Sequence, residues 1–180
     1  MTTLETNERE KPKKKRNSVL LGGLNLLIKI GWIALAVFIV FTFVIGVKVN
    51  SGIKMEPSFN DRDIVFFSRF AKDIAAGDTV VFRTKSGKTE TGRIVAVSGD
   101  AVDINEAGFK LNGYYQTESY AKGVTVLFED SVDFPIRLSD GEYFILFDNR
   151  SCGGDSRSIG IITSDDVLGR VFMSIRTRDF

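Results

Sequence analysis

The chain has no histidine and a single cysteine, Cys152. Those two absences exclude a Ser-His-Asp triad, a Cys-His dyad, a zinc finger and an internal disulfide within these 180 residues. Cys152 reads as a small loop residue, and such sparing use is compatible with an extracytoplasmic protein that avoids stray disulfides. Charge of one sign is also lacking: 24 Lys and Arg stand against 23 Asp and Glu, a formal net charge of +1. A nucleic-acid footprint needs a clear basic excess, so no nucleic acid is expected as a partner. No cofactor or metal is expected either. With 43% apolar and 26% charged residues the composition is ordinary for a folded protein, one domain plus extras.

What the chain does have is one long apolar run. From Ile30 to Val47 it reads IGWIALAVFIVFTFVIGV, without charge or proline. At about 1.5 Å per residue in a helix this spans roughly 27 Å, close to the hydrocarbon thickness of a bilayer. The preceding VLLGGLNLLIK carries Gly22, Gly23, Asn25 and Lys29. It therefore lies at the interface or forms the helix's first turns, with Lys29 snorkelling. A cleaved secretory signal is the competing reading, but the run is longer than a usual signal core and no small-x-small site follows before Lys48. Lys11, Lys13, Lys14, Lys15 and Arg16 precede the helix and only Lys48 and Lys54 follow closely. The positive-inside rule then puts the N-terminus in the cytoplasm and the rest outside, with the basic cluster facing anionic lipid. The expected organisation is a basic, disordered cytoplasmic tail over 1–18, an anchor helix over 19–48, and an extracytoplasmic domain over 49–180.

Beyond Asn50 the text changes to short β-rich runs broken by turn residues. Strands are expected at Asp63–Phe67, Asp78–Arg83, Thr91–Val97, Ala101–Ile104, Phe109–Leu111, Val124–Phe128, Glu142–Phe147 and Gly169–Ile175. Gly77-Asp78, Ser86-Gly87, Ser98-Gly99-Asp100, Asn112-Gly113 and Asp140-Gly141 mark turns, and Asn112-Gly113 suits a tight hairpin. Only Phe70–Ala76 hints at a helical turn. The pattern predicts an antiparallel, mainly β domain. Phe59, Phe66, Phe67 and Phe70 form an aromatic stretch that either meets the membrane interface or enters the core.

An apolar helix ending before G-x-x-M-x-P-S, then GDTVVFR, GRIVAVSGD and DNRSCGGDSRSIG in that order, resembles the type I signal peptidase family. The resemblance covers nearly the whole chain. It implies a membrane-anchored serine protease with a Ser-Lys dyad that removes secretory signal peptides at the outer membrane face. A serine hydroxyl needs a base to become a nucleophile, and a lysine serves only when burial lowers its pKa. By that resemblance the nucleophile immediately precedes the Met of M-x-P, the base immediately precedes the Arg of GRIVAVSGD, and a supporting serine lies within DNRSCGGDSR. This chain has Lys54, Gly92 and Gly153 at those places.

What persists is a frame of Asp148, Asn149, Arg150, Asp155, Ser156 and Arg157. Candidates for a peptide-binding cleft are Ile53, Lys54, Met55, Pro57 and Gly92. Met55 has packing as its alternative role. Ser51 and Ser58 flank the loop, but a shift of even one residue points a side chain elsewhere. Lys54 as a nucleophilic amine would leave a stable amide and end the cycle. It is expected instead to pair with the carboxylate of Asp155 or Asp148, beside a cavity left by the lysine missing at Gly92.

The resulting expectation is a catalytically inactive signal-peptidase-like protein that binds extended segments by strand addition. It is similar to accessory proteins of Gram-positive pilus loci, which assist sortase-dependent pilin assembly. The implied partners are the bilayer, a pilin or other sortase-processed protein, and a sortase or an active signal peptidase. Two alternatives stay open: an active peptidase with a relocated nucleophile, and a regulatory partner of an active paralogue.

Overall fold

An uninterrupted apolar stretch satisfies its backbone most simply by coiling on itself. In the computed structural model, which describes residues 14–71 and 73–177, it does so as helix α1, Lys14–Ile39, continued by a π-helical turn at Val40–Val44. Every side chain from Leu21 to Val44 is exposed, and this stretch is long and apolar enough to cross a membrane. The segment VLLGGLNLLIK therefore forms early turns of the helix. Residues 1–13 of the expected basic tail lie outside the described residues, and the chain is already helical from Lys14. The expected anchor over 19–48 runs too far: Ile45, Gly46 and Val47 open strand β1, Ile45–Val49, because their backbones find partners in Ser68, Phe67 and Phe66.

The helical unit ends at Phe41 and a β unit runs from Thr42. Its further strands are β2 (Ile64–Ser68), β3 (Thr79–Arg83), β4 (Thr89–Ala96), β5 (Ala101–Asn105), β6 (Gly108–Leu111), β7 (Tyr114–Tyr115), β8 (Ile136–Arg137), β9 (Glu142–Leu146), β10 (Ile162–Thr163) and β11 (Val167–Ile175). A short helix α2, Ser156–Ile159, precedes β10. They make a seven-stranded sheet, β1-β2-β11-β3-β4-β9-β10, and a four-stranded one, β7-β6-β5-β8. All these strand pairs are antiparallel. The protein is thus a mainly antiparallel β fold with one N-terminal apolar helix, as its sequence predicts.

Strand β9 reads almost continuously apolar because both its faces are buried. Phe144 and Leu146 pack into a core with Val102, Ile104 and Phe109, whereas Ile145 and Phe147 belong to a second core with Met55, Val80, Phe82, Ile94 and Ile162. Successive side chains alternate between the two. The Asn112-Gly113 hairpin forms as expected between β6 and β7, with φ of 52° and 86° at its two central residues.

Two local expectations fail. Val124–Phe128 is a loop, not a strand: Val124, Val126 and Leu127 are exposed, and the Val126 carbonyl accepts from Arg157. The described part of Phe70–Ala76 is irregular, not helical, with the Ala75 amide donating to the Asp78 carboxylate at 3.0 Å. The aromatic stretch divides: Phe67 is buried, Phe59 packs against the second core, Phe66 is half-buried and Phe70 is exposed.

Candidate functional site

The larger sheet curls strongly. In a flat sheet the order β1-β2-β11-β3-β4 would hold β1 and β4 roughly 19 Å apart at ~4.8 Å per strand. Yet Lys48 Nζ of β1 lies 3.1 Å from Thr91 Oγ1 of β4. The curl closes a groove of about 450 Å³ between the two strands, lined by Lys48, Val49, Ser51, Lys54, Lys88, Thr89 and Glu90.

The loop after β1 is tied down from the other side by Asn149. Its backbone amide donates to the Lys54 carbonyl at 2.9 Å and its side-chain amide to the Ile53 carbonyl at 3.2 Å. Met55 is fully buried in the second core, so of its two expected roles it takes packing; Ile53 and Pro57 are exposed. Lys54 does not pair with Asp148 or Asp155. Its ammonium meets Glu90 Oε1 at 2.8 Å and lies 4.8 Å from the centre of the Phe147 ring.

The reason is that both aspartates are already taken by forked guanidinium partners. Arg93 grips Asp148 through Nε at 2.8 Å and Nη2 at 2.6 Å, and Ser58 Oγ donates to the same carboxylate. Arg157 grips Asp155 through Nε at 2.9 Å and Nη2 at 2.8 Å. Asp155 also accepts from the amides of Phe147 and Arg157, the second contact capping α2. Arg157 further donates to the carbonyls of Arg150, Cys152 and Val126. Ser156 Oγ accepts from the Ile145 amide at 2.9 Å, and Arg150 pairs with Glu118 and donates to the Phe147 carbonyl. Among the described residues no buried side-chain nitrogen or oxygen lacks a partner. All six frame residues are buried: Arg150, Asp155, Ser156 and Arg157 hold the ends of β9 and α2 together, while Asp148 ties in β4 and Asn149 the loop after β1.

Gly92 does not face a cavity. A Cβ built there would stand 2.5 Å from Ile145 Cγ2 and 3.0 Å from Phe82 Cε1, so the second core occupies the space where a side chain would begin. Gly92 is buried and contributes nothing to the groove. Gly153 differs: a Cβ there would only touch Phe128 at 3.8 Å, an ordinary contact.

Three groups of the site carry no local sequence signal. Arg93 follows Gly92 directly and Glu90 precedes it by two on the same strand, but their partners lie 55 and 36 positions away. By sequence Lys48 is only a charge flanking the apolar run. Burial, and to a lesser degree the neighbouring Lys54 charge, push its pKa below the ordinary lysine value against the pull of Glu90. Nearby, Arg93 stacks 4.5 Å from the Tyr120 ring. Burial first, then the Glu118 carboxylate, pushes the Tyr120 phenol up to about 12. Among the described residues no group of carboxylate or thiol side chains is placed to hold a metal ion.

Comparison with known proteins gives the family of the chain. The family model for signal peptidase, peptidase S26, matches residues 24–175. A signal peptidase I P of Bacillus subtilis subsp. natto is 28% identical over 171 residues, covering 89% of this chain and 90% of its own. A signal peptidase I of Bacillus amyloliquefaciens is 30% identical over 177 residues, covering 91% and 90%. A signal peptidase IB of Staphylococcus aureus is 26% identical over 166 residues, covering 82% and 86%. A crystal structure of a signal peptidase I from Enterococcus faecalis V583 matches with 23% identity and a TM-score of 0.46, covering 56% of this chain and 98% of that one. With most of its length matched by the family model, this chain belongs to the signal peptidase S26 family.

Proposed function

We propose that this protein uses a signal-peptidase frame to bind extended segments of secreted proteins without cutting them. In this reading it sits in the cell membrane with its N-terminus in the cytoplasm and its β unit outside. There it assists the assembly of surface proteins such as pilins, alone or beside a sortase. One observation carries the reading: the position after Gly52-Ile53 holds an ammonium paired with Glu90 at 2.8 Å, and position 92 is a glycine whose side-chain space Ile145 and Phe82 already fill. The groove beside them stays open. Along it runs β1, which ends the sheet and, among the described residues, pairs with β2 alone, leaving backbone groups on its outer edge for an added strand.

The direct test is a secretory precursor incubated with the full chain in detergent. The precursor is expected to stay unprocessed and a pilin subunit to co-purify. Co-purification of an active signal peptidase instead would favour a regulatory role.

A relocated-nucleophile reading has one observation in its favour: Ser51 and Lys48, whose pKa burial lowers from the ordinary lysine value, line the same groove. Turnover that survives Lys54→Ala and is lost in Ser51→Ala would establish it. Ser58 is the poorer candidate, because its hydroxyl is held between Asp148 and Arg93.

A further inference from the structure

The groove between β1 and β4 carries three ammonium groups, Lys48, Lys54 and Lys88, against one carboxylate, Glu90. Glu90 is committed to Lys54. Lys48 donates to the Thr91 hydroxyl, a neutral acceptor, and neither Lys48 nor Lys88 reaches a carboxylate at ion-pair distance among the described residues. Lys48 is half-buried, so water compensates its charge only in part. The groove therefore holds two cations in excess of its anions, one of them half-buried, and a carboxylate reaching Lys48 would gain more than at an open surface.

The backbone around it narrows the source of that carboxylate. Val49 and Ser51 at the open β1 edge line one wall, and Lys88, Thr89 and Glu90 line the other. An extended chain laid along β1 can hydrogen-bond to that edge while one side chain reaches the lysines. A lipid headgroup has no use for the edge.

We infer that the Lys48–Lys54–Lys88 groove is a carboxylate pocket, reading an acidic residue or a free C-terminus on the extended polypeptide that lies along β1. This rests on the segment-binding reading above and adds what the segment must carry.

The test uses full-length protein in zwitterionic nanodiscs and ten-residue Ala/Ser peptides with a central Asp, a central Asn, or a neutral centre with a free or an amidated C-terminus. The Asp peptide, the free-acid peptide or both are expected to bind about three- to tenfold tighter than their neutral counterparts. That advantage should shrink in high salt and vanish in Lys48→Met/Lys88→Ala. Lys88 is exposed, so Lys88→Ala alone should show part of the loss without disturbing the fold. Equal binding of charged and neutral peptides would overturn the carboxylate pocket and leave segment binding standing. No binding of any peptide would overturn both. A lysine-dependent preference for phosphatidylglycerol nanodiscs, without any preference for a peptide carboxylate, would overturn it in favour of phosphate.

Discussion

Asp155–Arg157 and Lys54–Glu90 are ion pairs with the same closest separation, 2.8 Å, in two very different settings. The first is wholly inaccessible to water on both sides, whereas the side chains of the second are 34% and 18% exposed. Distance therefore says little about what each pair does. The side chains of Asp155 and Arg157 make five further hydrogen bonds with backbone around β9, α2 and the loop at Val126, so the fold depends on them. Lys54 and Glu90 sit on a groove wall where solvent can replace either partner. A chain can alter its groove while keeping its frame because the two are built on opposite sides of that difference.

The largest effect should come from breaking the buried pair. Asp155→Ala leaves Arg157 charged, buried and uncompensated, a loss of about 3–5 kcal/mol. A thermal melt of the detergent-solubilised protein should show a large drop in Tm or no cooperative transition. A loss under ~1 kcal/mol would mean that Arg157 finds water, and the contrast with the groove would collapse.

Next is Gly92→Ala, whose new methyl group must displace Ile145 or Phe82 and should cost about 1–3 kcal/mol. The same change in an Ile145→Ala background should cost less, a coupling that a double-mutant cycle reads directly. For the same reason the combination Lys54→Ser with Gly92→Lys should not yield cleavage, even with Gly153→Ser added.

Lys54→Ala should be mild, about 0.2–1 kcal/mol, since the pair it removes is partly solvated. The smallest effect has the opposite sign. Lys48 has a folded-state pKa below its unfolded value, so more protons are bound in the unfolded state between those two pH values. Its stabilising share is fully present only above the unfolded lysine pKa and is lost as pH falls through the folded one. At neutral pH, with Lys54 and Glu90 as its charged neighbours, Lys48 is therefore a burden. Lys48→Met should raise Tm at pH 7 by less than about 5 °C, and the gain should fade toward alkaline pH.

Most of the fold could be read directly. Strand β9 announces itself as a doubly buried strand, and Asn112-Gly113 as a two-residue hairpin, because both signals lie within a few residues. The frame residues follow from the family resemblance rather than from local signals: Asp155, Ser156 and Arg157 have mostly local contacts, but Asp148, Asn149 and Arg150 reach partners 55, 96 and 32 positions away. The pairing of Lys54 was not legible: its partner Glu90 is 36 positions away, and the sequence offered Asp148 and Asp155 as equally plausible anions. Only the curl that brings β1 against β4, and the prior claim of Arg93 and Arg157 on those aspartates, decides among them. The cavity expected at Gly92 failed similarly. A missing side chain leaves space only if neighbours do not move in, and here Ile145 has.

Mass spectrometry of a secretory precursor recovered after prolonged incubation with the full-length protein would test binding without cleavage most directly. The precursor should come back bound and at its full mass. Recovery of a released signal peptide, in amounts that grow with time and disappear in Ser51→Ala, would show that this groove still cuts.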